Sequence, residues 1–241
     1  TTTLIYLLRN FDTQIIIKEQ DVESIFLKSV VPMLDQALSP EKMTKIHHIF
    51  EESEEEVFHR TRLINDMLML VQTPVVCNYD CDVLLPMNNY PYGYGAYQYQ
   101  LRVNDEDCTR FINSNFNFNA FQQHATLYDA KFGFVQFFDT KEYLRLGGEN
   151  EGFIAYGYED DERYIRFNTC SQVLRLNDLV YHMEHRRTPN SWFNNPHIEE
   201  NRSLWEELRN FGKTKFEEYY KNPPYMKYRG VLNGKRRGMN D

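Results

Sequence analysis

The stretch NYDCDVLLP, residues 78–86, sets Asp80 and Asp82 one residue apart at the end of an apolar run. A buried carboxylate is costly unless a partner or a metal meets its charge. The chemistry that wants such a pair is a divalent cation bridging two phosphates, with hard oxygen ligands for Mg²⁺ or Mn²⁺. A short acidic pair is a weak signal by itself; its place at the end of a strand-like run strengthens it. A second cluster is GYEDDE, residues 157–162, with acids at every position from Glu159 to Glu162. Taken alone it reads as a solvated turn. It follows the apolar GFIAY and leads into DERYIRF, a helix-like stretch, and carboxylates gain from the dipole at a helix start. One of them beside a substrate hydroxyl could act as general base. The third cluster is YHMEHRR, which puts His182 and His185 three apart. Imidazoles at that spacing converge on one ion if the stretch turns, and mixed O and N ligation favours Mn²⁺ over Mg²⁺.

The elements that must position these groups alternate. PVVCNY is continuously apolar, as a strand covered on both faces is. It places Asp80 and Asp82 at the carboxyl end of a central strand, where open α/β sheets bind ligands. In extended chain alternate residues share a face, so both carboxylates are expected to address one ligand. Before it, VFHRTRLINDMLMLVQ reads as a helix with Val57, Ile64, Met67, Leu68 and Val71 largely on one side, stopped by Pro74. EESEEE, Glu51 to Glu56, reads as a solvated loop. At the start, TTTLIYLLRNF resembles the end of an amphipathic helix and TQIIIKEQ a β-branched strand. A helix leading into a strand implies an earlier strand completing a βαβ unit, so a first strand is expected to be missing. Further on, KFGFVQFF reads as strand, TKEYLRLGG as a short helix capped by glycine, and NRSLWEELRNFGKTKFEEYY as helix with Leu204, Leu208 and Phe211 on one stripe. The expectation is an α/β chain forming one domain over residues 1–241.

Composition bounds the function. The 241 residues are 41% hydrophobic and 15% aromatic, which is a folded globular composition. A net charge of −8 and a pI near 5.4 argue against general nucleic-acid binding. MLMLV, residues 67–71, is far too short to span a bilayer, and no signal-like segment opens the chain. Cys77, Cys81, Cys108 and Cys170 have no metal or disulfide spacing, as in a cytoplasmic protein. Residues 222–241 form a basic tail whose simpler reading is a solvated end; weak contact with a membrane surface or a phosphate is the lesser reading. Residues 90–128 are rich in Tyr, Asn and Gln, which suits carbohydrate and equally suits a polar loop insertion.

In order, these pieces resemble the glycosyltransferases of the GT-A fold related to animal β-1,4-galactosyltransferases and their bacterial relatives in polysaccharide synthesis. The resemblance runs from about Phe58 to Asn201. FHRTRLIN looks like the family helix whose arginine serves the nucleotide site, here Arg60 with Phe58 beside it. NYDCDVLLP is similar to the DVD motif, whose last aspartate ligates Mn²⁺, here Asp82; Asp80 then contacts the ribose or donor sugar. The long block from Lys131 to Phe167 resembles the one ending in WGGEDDD. That implies Asp160 as catalytic base, with Glu159, Asp161 and Tyr156 on the acceptor side. YHMEH resembles the late metal motif, with His185 at the family's histidine and His182 at a methionine position. Tyr156 departs from the family tryptophan and Phe134 from a second glycine, and Lys131 holds a position tied to donor choice. The implied fold is a Rossmann-like mixed central sheet flanked by helices. The implied activity is Mn²⁺-dependent (Mg²⁺ as alternative) inverting transfer of a hexose or N-acetylhexosamine from a UDP-sugar to a carbohydrate or glycoconjugate hydroxyl. Two alternatives stay open. One is a retaining N-acetylgalactosaminyltransferase-like enzyme, to which GGEN at Gly147 to Asn150 is similar. The other is a non-catalytic carbohydrate-binding domain of the same fold.

Overall fold

The structure, a computed structural model, describes residues 1–86, 94–121, 126–129, 132–185, 194–223 and 225, with the side chains of 94–102, 105, 126–129 and 177–178 outside the description. Lys131 and the basic tail beyond 225 lie outside the described residues, as do the side chains of YPYGYGAYQYQ. The class is mixed α/β. Helix α1 (Thr2–Asn10) leads into β1 (Ile15–Asp21), a single π-helical turn (Phe26–Val30), α2 (Val31–Ala37), α3 (Pro40–Met43) and β2 (Ile46–Glu52). Strands β1 and β2 pair in parallel, Ile15 opposite Ile46, as a two-stranded sheet of their own. The chain from β1 to β2 is therefore a parallel crossover of its own, downstream of α1. Glu51 and Glu52, expected in a loop, end β2 instead. Glu51 is held there by Lys18 (2.7 Å) and Arg62 (2.6 Å).

The larger sheet is built from β3 (Val75–Tyr79), β4 (Val83–Leu84), β5 (Tyr94–Val103), β6 (Thr126–Asp129), β7 (Val135–Asp139) and β8 (Val173–Met183). Its order is β3-β7-β5-β8-β4, with β6 also on β5. Only β5 and β8 run parallel; the other pairs are antiparallel. The expected mixed sheet is present, but β3 stands at its edge rather than its centre. Helices α4 (Arg60–Leu68), α5 (Asp105–Asn113), α6 (Thr140–Arg145), α7 (Glu159–Cys170), α8 (Ile198–Leu208) and α9 (Lys213–Lys221), with a 3-10 turn at Phe118–Ala120, complete the described elements. No described helix is long and apolar enough to cross a membrane.

Local chemistry explains where these helices begin and end. Asp139 caps α6, its carboxylate accepting from Glu142 N at 2.9 Å. Gly147 (φ +89°) and Gly148 (φ +65°) then turn the chain out of α6 in conformations that favour glycine. The C-terminal run is two helices, because Gly212 breaks it and starts α9. Leu208 and Phe211 are buried as expected, within a core that also holds Phe138, Tyr143, Phe153, Phe167 and Phe216.

Helix α4 departs most from its apolar pattern. It starts at Arg60, capped by His59, and ends at Leu68, ahead of Pro74. Thr61 and Asn65 are buried on it alongside Leu63 and Leu68. Thr61 donates to Phe153 O (2.9 Å), and Asn65 Nδ2 donates to Glu149 O (2.9 Å) while its Oδ1 accepts from Glu149 N (2.8 Å). The helix is thus stitched to the loop after α6 by hydrogen bonds that a periodicity argument does not see.

One buried ion pair ties α7 to α9. Arg166 Nε lies 3.0 Å from Glu162 Oε1, both fully enclosed, and its guanidinium stacks over Tyr220, whose hydroxyl donates to the same Glu162 oxygen at 2.6 Å. Removing one partner of such a pair leaves an uncompensated buried charge and costs about 3–5 kcal/mol. Arg166→Met is therefore expected to lower urea-unfolding stability by that order. The paired variant Glu162→Gln/Arg166→Met should recover most of the loss. A single variant as stable as the pair would show the charges are not coupled.

Candidate functional site

After β3 the chain does not continue extended. Asp80 N donates to Phe134 O (2.9 Å) and Val83 N to Asp80 O (3.1 Å), closing a turn that delivers β4 to the far edge beside β8. Helix α1 secures this turn from below: Thr3 Oγ1 donates to Cys81 O (2.7 Å) and Tyr6 OH to Leu85 O (2.7 Å). The expectation that Asp80 and Asp82 share one face is therefore corrected. A turn, unlike a strand, sends them to different partners.

Asp82 goes to the histidines. His182 Nε2 lies 3.3 Å and His185 Nε2 3.0 Å from its Oδ2. One ligand atom from each of these three residues falls within 4.8 Å of the others. His182 sits on β8, directly opposite Val83. The strand ends at Met183, Glu184 N still donates to Val103 O (2.7 Å), and His185 just beyond reaches the same Asp82 oxygen as His182. Two imidazoles and a carboxylate are a donor set that suits a divalent transition ion. His182 Nδ1 is buried without a hydrogen-bond partner.

Asp80 goes to the acid cluster. Its Oδ1 lies 2.6 Å from Arg60 Nη2, and its Oδ2 accepts from Phe134 N at 3.2 Å. Arg60 Nη1 also reaches Glu159 Oε1 (3.1 Å) and Asp160 Oδ1 (3.5 Å). Asp160 Oδ1 is bonded in turn by Arg163, whose other nitrogen lies 2.5 Å from Glu149 Oε2. Burial raises Asp80's pKa, and Asp160 and Asp82 add to this against the pull of Arg60. Burial and the adjacent Asp160 push Glu159 up to about 7. Burial acts on Asp160 too, yet Arg163 and Arg60 outweigh it and hold it below the usual range. The backbone comes very close here: a Cβ at Gly133 would stand 2.6 Å from Asp160 Oδ2.

The loop that presents these acids is held in an unfavourable shape. Ala155 (φ +58°) and Tyr158 (φ +70°) are left-handed, a conformation costing a side-chain-bearing residue about 1–2 kcal/mol. Two asparagines hold it. Asn201, fully buried, accepts from Ile154 N (3.0 Å) and donates to Ile154 O (2.9 Å) and Gly157 O (3.1 Å). Asn195 donates to Ile154 O (3.0 Å) and Tyr156 O (2.8 Å). Tyr156 is left exposed on the loop, and Asp161 is half-buried on the first turn of α7. Phe58 lies apart, lining a cleft with Gln20, Asp21, Ser53 and Glu55 at the carboxyl ends of β1 and β2, where none of the acid or histidine cluster is found. Sequence reasoning gave no role to Arg163, Gly133 and the two asparagines, and met Glu149 only as part of the GGEN run. Arg163 carried a signal, being three residues from Asp160 on a helix.

Residues 114–186 match the family model described as the N-terminal domain of galactosyltransferase. That stretch is similar to the galactosyltransferase domain. The matched span holds Glu159, Asp160, His182 and His185, and it stops short of Arg60, Asp80 and Asp82. Among solved structures the chain is similar to the catalytic domain of Drosophila β1,4-galactosyltransferase 7 in complex with xylobiose, with 14% identity over 84% of each chain and a TM-score of 0.44. It is also similar to a mutant of that Drosophila enzyme in complex with manganese, UDP-Gal and xylobiose, with 15% identity over 71% of this chain and 72% of that one and a TM-score of 0.37. No curated protein matches it.

The opposed shifts of Glu159 and Asp160 give two pH windows. Glu159 titrates near 7 in the folded protein against 4.5 ordinarily, so its contribution to stability is full below about 4.5 and is lost as pH rises through about 7. Asp160 is depressed below 3.8, so its contribution is present above that value and is lost as pH falls through the folded pKa. Glu159→Gln should therefore gain stability relative to wild type as pH rises across the first window, measured by urea midpoints. A constant difference between the two proteins would show that Glu159 is not raised.

Proposed function

We propose that this chain is a metal-dependent inverting glycosyltransferase of the GT-A type, moving a hexose or N-acetylhexosamine from a UDP-sugar to a carbohydrate hydroxyl. The observation that carries this is the pairing of two clusters around one turn. Asp82, His182 and His185 converge on one side of it, and Asp80, Arg60 and Asp160 are joined on the other. Galactosyl or N-acetylhexosaminyl transfer agrees with the galactosyltransferase family match.

Asp82, His182 and His185 would hold Mn²⁺, with Mg²⁺ as the poorer fit to two imidazoles. When bound, such an ion neutralises charge on a leaving diphosphate. Asp80 is engaged by Arg60 and the Phe134 amide rather than by the histidines, which supports a role for it at the ribose or donor sugar. Asp160 is ionised and orientated by two guanidiniums, as a base must be before reaction. It accepts the acceptor proton as that oxygen bonds to the anomeric carbon and the bond to the diphosphate breaks, which inverts the centre in one displacement. Tyr156, exposed beside it, offers a ring to an acceptor sugar face. The GGEN run similar to that of retaining enzymes is turned inward: Glu149 serves Arg163 and Asn150 serves Tyr220, both buried. This favours the inverting reading over the retaining one.

Asp82→Ala and His185→Ala should each abolish Mn²⁺-dependent UDP binding in calorimetry while the fold persists. Unchanged affinity in both would remove the metal assignment. Asp160→Asn keeps size and polarity, so kcat should fall roughly 10²–10⁴-fold, the usual worth of a general base, with Mn²⁺–UDP affinity retained. Asp161→Asn should mainly raise the acceptor KM. If Asp161→Asn is the more damaging, the base lies one residue along.

A further inference from the structure

The two oxygens of Asp160 are not equivalent. Both of its guanidinium contacts, from Arg163 and Arg60, fall on Oδ1. Oδ2 lies against Gly133, where a Cβ would stand 2.6 Å from it. Arg163 comes from one turn further along α7 and is wholly buried. It does not stand free: its second nitrogen is 2.5 Å from Glu149, which is itself enclosed. Glu149 also accepts from the Tyr143 hydroxyl and from Asn78 Nδ2 (3.3 Å) on β3, and its backbone is fixed by Asn65 on α4. A rigid path thus runs from the sheet and α4, through Glu149 and Arg163, to one oxygen of Asp160.

We propose that Arg163, backed by Glu149, is a positioning residue for the base: it clamps Oδ1 from the protein interior so that Oδ2 alone is presented to the acceptor hydroxyl. This rests on the transferase reading of Asp160. Geometry and charge agree on it. A buried arginine needs a buried partner to be tolerated, and Glu149 supplies that charge, leaving Arg163 free to spend its second nitrogen on Asp160. The charged and titratable groups facing Asp160 are Arg163 and Glu159 on α7, Arg60 on α4, Asp80 after β3, and Tyr156 on the preceding loop. Of these, Arg163 is the largest lowering influence.

The test compares wild type with Arg163→Met, Arg163→Lys and the charge-balanced pair Glu149→Gln/Arg163→Met, which avoids stranding Glu149. Thermal unfolding first shows which variants fold. In folded variants the acid limb of the kcat–pH profile should move up by about one unit or more, as for an aspartate that loses an adjacent arginine. Donor KM and Mn²⁺–UDP affinity should stay near wild type, and lysine should restore part of the shift. A folded pair variant with an unmoved acid limb overturns the clamp. Carboxyl ¹³C NMR titration of Asp160 in the free proteins reads the same shift without turnover. If wild type transfers no sugar, the transferase reading falls, and the NMR titration still decides the clamp: a raised Asp160 supports it and an unmoved one overturns it.

Discussion

Four carboxylates meet in one region, Glu149 and Glu159 enclosed and Asp80 and Asp160 half-buried, and two arginines, Arg60 and Arg163, are what make that tenable. Removing charges from water costs several kcal/mol per ion unless geometry returns it. Here each guanidinium is shared between carboxylates, so the compensation is real but incomplete: two cations face four acids. The shortfall shows in which acid yields. Burial and crowding push Glu159 up to about 7, whereas Asp160, touched by both arginines, is held ionised. The arrangement sorts two adjacent carboxylates into different protonation behaviour by position alone, as functional sites with opposed titrations do.

Much of the remaining structure keeps those groups in place. Arg60 starts α4, and α4 is bound to the loop after α6 through Thr61 and Asn65. Glu159 and Asp160 start α7, which Arg166 and Glu162 fix against α9. Between these helices the loop at 154–158 is strained, and Asn195 and Asn201 hold it by bonding its backbone from below. Strain of this kind persists only where the surroundings over-determine it. The hydrophobic core therefore supplies the platform, while buried amides and ion pairs set the last ångström.

How far this was readable from the residues differs by element. Strands β3 and β7, the glycine-ended α6 and the acidic start of α7 were legible because period, cap and dipole each left a local mark. The convergence of Asp82 with His182 and His185 was legible as a spacing, although the turn that brings it about was not. The buried face of α4 was misread, because Thr61 and Asn65 look solvent-facing until their partners far along the chain are known. The placement of β3 at an edge was equally hidden, since strand order depends on the pairing of β3 with β7 and of β7 with β5, which no local pattern encodes. Asn195 and Asn201 carry no sequence mark at all, as asparagine reads alike in a loop and in a buried clamp.

Phe134 joins the two halves of the site. It stands where the resembled family has a second glycine, yet it keeps a left-handed backbone (φ +71°) that suits glycine far better. The strain, about 1–2 kcal/mol, is held by what the residue touches. Its amide and carbonyl both bond Asp80, at 3.2 and 2.9 Å, and its ring packs edge-on to His182, 5.5 Å between centroids. A glycine would satisfy Asp80 without strain but would leave His182 unsupported. Because Asp80 belongs to the acid cluster and His182 to the carboxylate–histidine cluster, Phe134 fixes their relative position through one residue. The adjacent Gly133 cannot take such a side chain, since Asp160 already occupies that space. Two consecutive positions thus divide the work: one yields volume to Asp160, and the other fills it to support His182.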